Sequence, residues 1–149
     1  MTIYETSAQG FSLAQLCGHQ VSNFVSAQIP KECKVISRLT SFSNANYLIE
    51  DSNRSNYVLR IPNIISRQLI SQDHEYATLK WAKHTKLSKI KVLAYDLREG
   101  YLLTRFIQGK SCNQESFRDL ALLQKAIELL QNLHCTELSP IHASFNPLT

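Results

Sequence analysis

Residues 33–62 read CKVISRLTSFSNANYLIEDSNRSNYVLRIP, and the way this stretch divides decides the fold. Cys33 to Leu39 alternates apolar and polar residues, Tyr47 to Glu50 and Tyr57 to Ile61 are rich in strand-forming residues, and Asp51-Ser52-Asn53-Arg54-Ser55 is a polar hairpin loop between them. Between the first two strands, Thr40-Ser41-Phe42-Ser43-Asn44-Ala45-Asn46 reads as a turn of small and polar residues. Pro62 closes the third strand, because a residue without an N–H cannot extend an interior ladder.

Outward from this core, Ser12 to Ala27 places Leu13, Leu16, Cys17, Val21, Phe24 and Val25 near a 3.6-residue period and predicts an amphipathic helix. A second helix is expected over about Ser66 to Thr85. Val92 to Tyr95 and Tyr101 to Ile107 form a second hairpin around Asp96-Leu97-Arg98-Glu99-Gly100, where glycine takes a positive φ without steric cost. Gln108-Gly109-Lys110-Ser111 is a connector. Ser116 to His134 then carries one stripe of Leu120, Leu123, Ile127, Leu130 and Leu133, with Ser116 and Asp119 placed as a capping box and His134 at the helix C-terminus. The expected class is α+β, with a mainly antiparallel five-stranded sheet and a packed helix. The expected divisions are 1–32, an N-terminal helical segment; 33–109, a sheet-plus-helix lobe; and 110–149, a connector, a helix and the start of a further lobe.

Composition narrows the classes. The chain has 149 residues, 44% of them hydrophobic, with 4 Gly and 4 Pro, which suits a packed domain and excludes a collagen-like or low-complexity chain. No run of about 18 apolar residues is present, so no membrane helix is expected. The N-terminus MTIYETSAQG lacks the cationic start and apolar stretch of a secretory signal, and a cytoplasmic location is expected. Cys17, Cys33, Cys112 and Cys135 are scattered without metal-ligand spacing and read as reduced thiols. The net charge of +4 is mild, and the densest basic stretch, Lys80, Lys83, Lys86, Lys89 and Lys91, reads as a solvated face rather than a nucleic-acid stripe. No P-loop, dinucleotide fingerprint or nucleophile elbow occurs.

What remains is a small-residue turn between two strands, a cation on the third strand, Arg60, and a carboxylate on the next helix, Glu75. In phosphoryl-transfer lobes a turn covers the phosphates, a strand cation binds them and a helix carboxylate positions that cation. A guanidinium suits both contacts, since its planar fork bonds phosphate or carboxylate in pairs.

At these residues the chain resembles the choline/ethanolamine kinase family, within the wider group of aminoglycoside phosphotransferases that share the protein-kinase-like fold. Family members carry a turn like G-G-L-T-N-x-N-Y, which here reads T-S-F-S-N-A-N-Y from Thr40 to Tyr47, with Thr40 and Ser41 in place of the two glycines. The family strand V-L-R-I is Val58-Leu59-Arg60-Ile61, its helix carboxylate is matched by Glu75, the strand entering its linker by Leu103 to Gly109, and its L-H by Leu133-His134. The resemblance covers roughly Lys34 to His134, the N-terminal lobe only.

It implies an ATP-binding lobe of a phosphotransferase that moves the γ-phosphate to a small alcohol. Arg60 would contact the α/β-phosphates, Glu75 would orient Arg60, Ser43 and Asn44 would lie over the phosphates, and the backbone at Phe106, Ile107 and Gln108 would receive adenine. The family's H-x-D-x-x-x-x-N loop and metal-binding Asp have no counterpart, since no H-x-D occurs and the last Asp is Asp119. No catalytic residue is therefore assigned, magnesium is expected only with a second lobe supplied, and this chain alone is expected to bind ATP without turnover. The alternative is a truncated or degenerate module that acts by binding, with its final helix meeting a second lobe or a second copy.

Overall fold

The computed structural model describes residues 4–5, 11–41, 43–84, 89–109 and 112–136. Its centre is a six-stranded antiparallel sheet in the order β1-β2-β3-β4-β6-β5, built from Tyr4–Glu5, Cys33–Leu39, Asn44–Asp51, Asn56–Pro62, Val92–Tyr95 and Leu102–Arg105 taken as β1 to β6 in chain order. The five expected strands are β2 to β6. The sixth, β1, is a two-residue edge strand opposite Leu39 and Arg38, too short to show any alternation.

The expected turn from Thr40 to Asn46 is shorter than the sequence implied. Asn44, Ala45 and Asn46 stand opposite Pro62, Ile61 and Arg60 in the ladder, so their backbone groups bond as strand and the link shrinks to Thr40–Ser43. The Asp51–Ser55 loop forms as expected: the Asp51 carboxylate accepts the N–H of Asn53 (2.8 Å), the N–H of Ser55 (2.9 Å) and the hydroxyl of Tyr57 (2.9 Å). Arg54 turns the loop at a φ of 61°, with its N–H donating to the carbonyl of Asp51 (2.9 Å).

Helix α1 (Leu13–Gln28) starts at a true capping box, in which Ser12 Oγ accepts the N–H of Gln15 and the Gln15 side chain accepts the N–H of Ser12. It is not continuous: Gly18, at φ 82° and ψ 166°, divides it into two helical pieces. Its Leu13, Val21 and Val25, with Ile29, pack on Val35, Ile49, Leu59, Tyr101 and Leu103, which together form the buried core. Each such aliphatic side chain contributes about 1.5–3 kcal/mol relative to exposure.

The single helix expected after β4 is two, α2 (Ile64–Leu69) and α3 (Gln72–His84). Ile70 is extended at φ −108° and ψ 120°, and two side chains restart the helical bonding: Asn63 Oδ1 accepts the N–H of Ser66 (2.7 Å), and Ser71 Oγ accepts that of His74 (3.4 Å). The final helix, α4 (Leu120–His134), begins later than expected. Ser116 exchanges bonds with Asn113 in a 3-10 turn, and Asp119 caps α4 by accepting the N–H groups of Ala121 and Leu122. The apolar stripe of α4 is exposed, so among the described residues it belongs to no core. No helix of the described residues is long and apolar enough to cross a membrane. The tail from residue 137 onward, Phe42, Lys86, Lys110 and Ser111 lie outside the described residues.

Candidate functional site

Strand alternation separates two neighbours on β4. Leu59 is fully buried in the α1 core, and Arg60, one residue on, projects from the opposite face. The break at Ile70–Ser71 redirects the chain so that α3 brings Glu75, in its first turn, over that face. The two side chains meet in a fork: Arg60 Nη1 donates to Glu75 Oε1 at 2.6 Å and Nη2 to Oε2 at 2.7 Å. Both are about four-fifths buried, with 20% side-chain exposure each, so the pair is screened less than a surface pair.

A third donor completes the carboxylate. Tyr95 on β5 lies opposite Leu102 of β6, which in turn lies opposite Arg60, and its hydroxyl donates to Glu75 Oε2 at 2.7 Å. Tyr76, the next residue on α3, stacks on the Tyr95 ring with centroids 5.6 Å apart. Burial pushes the Glu75 carboxyl up, but the bonds from Arg60 and Tyr95 outweigh it and hold the carboxyl below its usual range. The Tyr95 phenol is pushed far up, first by burial and then by the carboxylate it faces. It therefore stays protonated, as a donor must. Nothing in the sequence near Tyr95 pointed to it, because its partner is 20 residues away.

α2 braces this arrangement. Ser66 Oγ donates to the carbonyl of Ser43 at 2.7 Å, and Arg67 bonds Glu99 of the β5–β6 turn at 2.7 Å. In that turn Asp96 Oδ1 accepts the N–H groups of Arg98 and Glu99, and Gly100 adopts the positive φ expected of it, 72°. A Cβ there would lie 3.1 Å from Pro62 Cγ.

Four buried side-chain polar atoms among the described residues lack a partner: Ser37 Oγ, Asn44 Oδ1, Asn46 Oδ1 and Arg60 Nε. Three of the four belong to the Arg60 residue, its cross-strand partner Asn46, and Asn44 two residues before it. Native interiors rarely leave such groups unpaired, so their concentration here marks the face as one prepared for polar contact. Arg60 has five N–H donors and gives two to Glu75, which leaves three. The enclosed space bounded by Asn44, Arg60, Ser66, Glu75 and Tyr95 is only about 10 Å³, room for about one water. A larger anion must approach Arg60 from outside it.

The structure thus brings Asn44, Arg60 and Glu75 together. Ser43 is exposed beside them, with its carbonyl committed to Ser66. Phe106, Ile107 and Gln108 lie at the other end of β4, where the N–H of Phe106 donates to the carbonyl of Asn56 (3.1 Å). Ile107 and Gln108 are exposed, and their backbone groups make no bond among the described residues. Both Glu75 oxygens are occupied by donors, and no group of three or more His, Cys, Asp or Glu among the described residues is placed to hold a metal.

No protein-family model and no curated protein matches the chain. Solved structures do. The streptomycin–ATP–APH(2'')-IIa ternary complex is similar at 20% identity and a TM-score of 0.54, and the ADP-bound aminoglycoside phosphotransferase APH(2'')-Ib at 21% and 0.54. Each match covers 80% of this chain and 40% of the other. The likeness establishes the fold, the α+β N-terminal lobe of the kinase-like architecture, and the match spans only 40% of either neighbour's length.

Proposed function

We propose that the chain is a nucleotide-binding lobe of a phosphotransferase, with ATP as the nucleotide. The observation that carries this reading is the forked Arg60–Glu75 pair between β4 and α3, which holds the Arg60 guanidinium in one plane while each Nη keeps one N–H that Glu75 does not use. Arg60 contacts the α/β-phosphates; Glu75, itself held by Tyr95, keeps the guanidinium plane from turning. Asn44 and Ser43 lie beside the phosphates. The free backbone of Ile107 and Gln108, next to Phe106, takes the adenine edge. From Asn56 to Arg60 is four residues, about 13 Å at about 3.3 Å per residue, a length an extended nucleoside triphosphate covers.

The acceptor in this reading is the hydroxyl of a small alcohol. The T-S-F-S-N-A-N-Y turn and V-L-R-I strand favour choline, whereas the neighbour in complex with streptomycin favours a larger polyhydroxylated acceptor. Magnesium enters this reading only with a second lobe that would supply its ligands. The sequence holds no H-x-D base, so binding without phosphoryl transfer is the expected behaviour of this chain.

Isothermal titration with ATP tests the reading. Saturable binding to the natural chain that falls at least tenfold in Arg60→Ala, with the far-ultraviolet spectrum unchanged, supports it. Equal affinity in the two proteins removes Arg60 from the site, and no binding to the natural chain removes the nucleotide.

A further inference from the structure

A second concavity shares Tyr95 with the surroundings of the Arg60 pair. It has a volume of about 570 Å³ and runs between the C-terminal part of α1, the outward side of α3 and strand β5. Phe24, Leu79 and Val92 supply its apolar wall, the stacked pair Tyr76 and Tyr95 its floor, and Lys80 and Lys83 its rim. Both lysines are exposed. The one acidic residue of the lining, Asp96, already accepts two backbone N–H groups of its own turn. Lys89 and Lys91, also exposed, lead the chain into β5.

The strand itself adds the second half of the argument. β5 is the last strand of the sheet, and among the described residues its outer side pairs with no other strand. Such an edge presents main-chain donors and acceptors to a partner, and natural sheets usually cover or blunt it. Here it borders a cationic, part-apolar groove instead.

We propose that this groove docks an extended, acidic segment of another polypeptide, which adds to the free edge of β5 and places its carboxylates on Lys80 and Lys83. In this mode main-chain bonds supply affinity, and alternate side chains enter the groove and supply specificity. An apolar or aromatic residue of the segment packs on Phe24, Leu79 and Val92. A single-stranded nucleic acid fits the same lysines less well. Base stacking needs open aromatic faces, and here Tyr76 is covered by Tyr95 on one side and by Lys80, whose Nζ lies 5.2 Å from its ring centroid. The inference does not depend on nucleotide binding, and its test contains no nucleotide.

The probe is a fluorescein-labelled peptide, E-E-V-F-V-E-E, titrated with the full chain and followed by anisotropy; the emission of Trp81 on α3, the only tryptophan, serves as a second signal. Saturable binding is expected, at least tenfold weaker for Q-Q-V-F-V-Q-Q and at least tenfold weaker for the double variant Lys80→Glu, Lys83→Glu. Hydrogen exchange supplies a reading that needs no variant: the peptide should slow the amides of residues 92–95 and leave those of β2 unchanged. Absence of saturable binding, equal affinity for the two peptides, an unaffected double variant that retains its fold, or unchanged exchange in β5 would each overturn the proposal. Tighter binding of a ten-nucleotide oligo-dT than of the acidic peptide would assign the groove to nucleic acid instead.

Discussion

Leu59 and Arg60 are neighbours on one strand and belong to different halves of the molecule. On the α1 side of the sheet, Val35, Ile49, Leu59 and Leu103 are essentially without exposure and belong to one largely apolar cluster. On the α3 side the same strands present Asn44, Asn46, Arg60 and, from β5, Tyr95, and three of these residues carry a buried atom with no partner. The first face has completed its interactions and the second has not. Stability is concentrated on one side and unsatisfied bonding capacity on the other, as expected where a scaffold carries a binding surface.

The largest test of this contrast is truncation on the finished side. Leu59→Ala should cost about 2–5 kcal/mol, because the lost methyl groups leave a cavity that the α1 core closes only in part. Urea unfolding followed by circular dichroism measures it. A cost under about 1 kcal/mol would show that the two faces do not differ in packing.

On the open side the expected cost is smaller and depends on pH. Tyr95→Phe removes one of three donors to Glu75, about 1 kcal/mol at neutral pH, and should raise the Glu75 carboxyl toward its ordinary value, visible in a titration by NMR. The sign for the natural chain follows from linkage. Glu75 and Asp51 both have carboxyls held low in the folded state, so their contribution is present above the ordinary carboxylate range and is lost as pH falls through the lowered values. The unfolding midpoint should drop below about pH 4, and Glu75→Gln should flatten that drop. The smallest effect belongs to α4. Leu130, 52% exposed, should lose less than about 0.5 kcal/mol on change to Ala, by the same unfolding measurement.

The legible part of the molecule was the part set by short-range patterns. β2 and β5 occupy the residues that the strand pattern marked, and Arg60 and Glu75 could be named because the V-L-R-I strand and the acidic residue on the next helix resemble a family pattern. The interruption at Ile70–Ser71 escaped a reading by periodicity. Its signal lay in Ser71, a cap-forming residue inside the expected helix that accepts the N–H of His74. Asp119 rather than Ser116 caps α4 because both are cap formers and only the pairing of Ser116 with Asn113 separates them. Tyr95 was hidden for a different reason. Its role exists only once β5 is seated beside β6 at the register that aims the hydroxyl at α3, and no local spacing encodes that register.

The four thiols follow the same partition and turn it into a handle. Cys17 and Cys33 sit in or against the core, where burial pushes both up to about 11, Asp51 adding to the effect at Cys33. Cys112 and Cys135 are exposed, one before the 3-10 turn and the other at the end of α4. Thiolate is the reactive form, so a maleimide at neutral pH should modify the outer two and spare the inner two. The natural sequence therefore accepts a donor and acceptor dye pair across its most exposed helix, and changes in the surroundings of α4 can be followed by energy transfer without altering a residue.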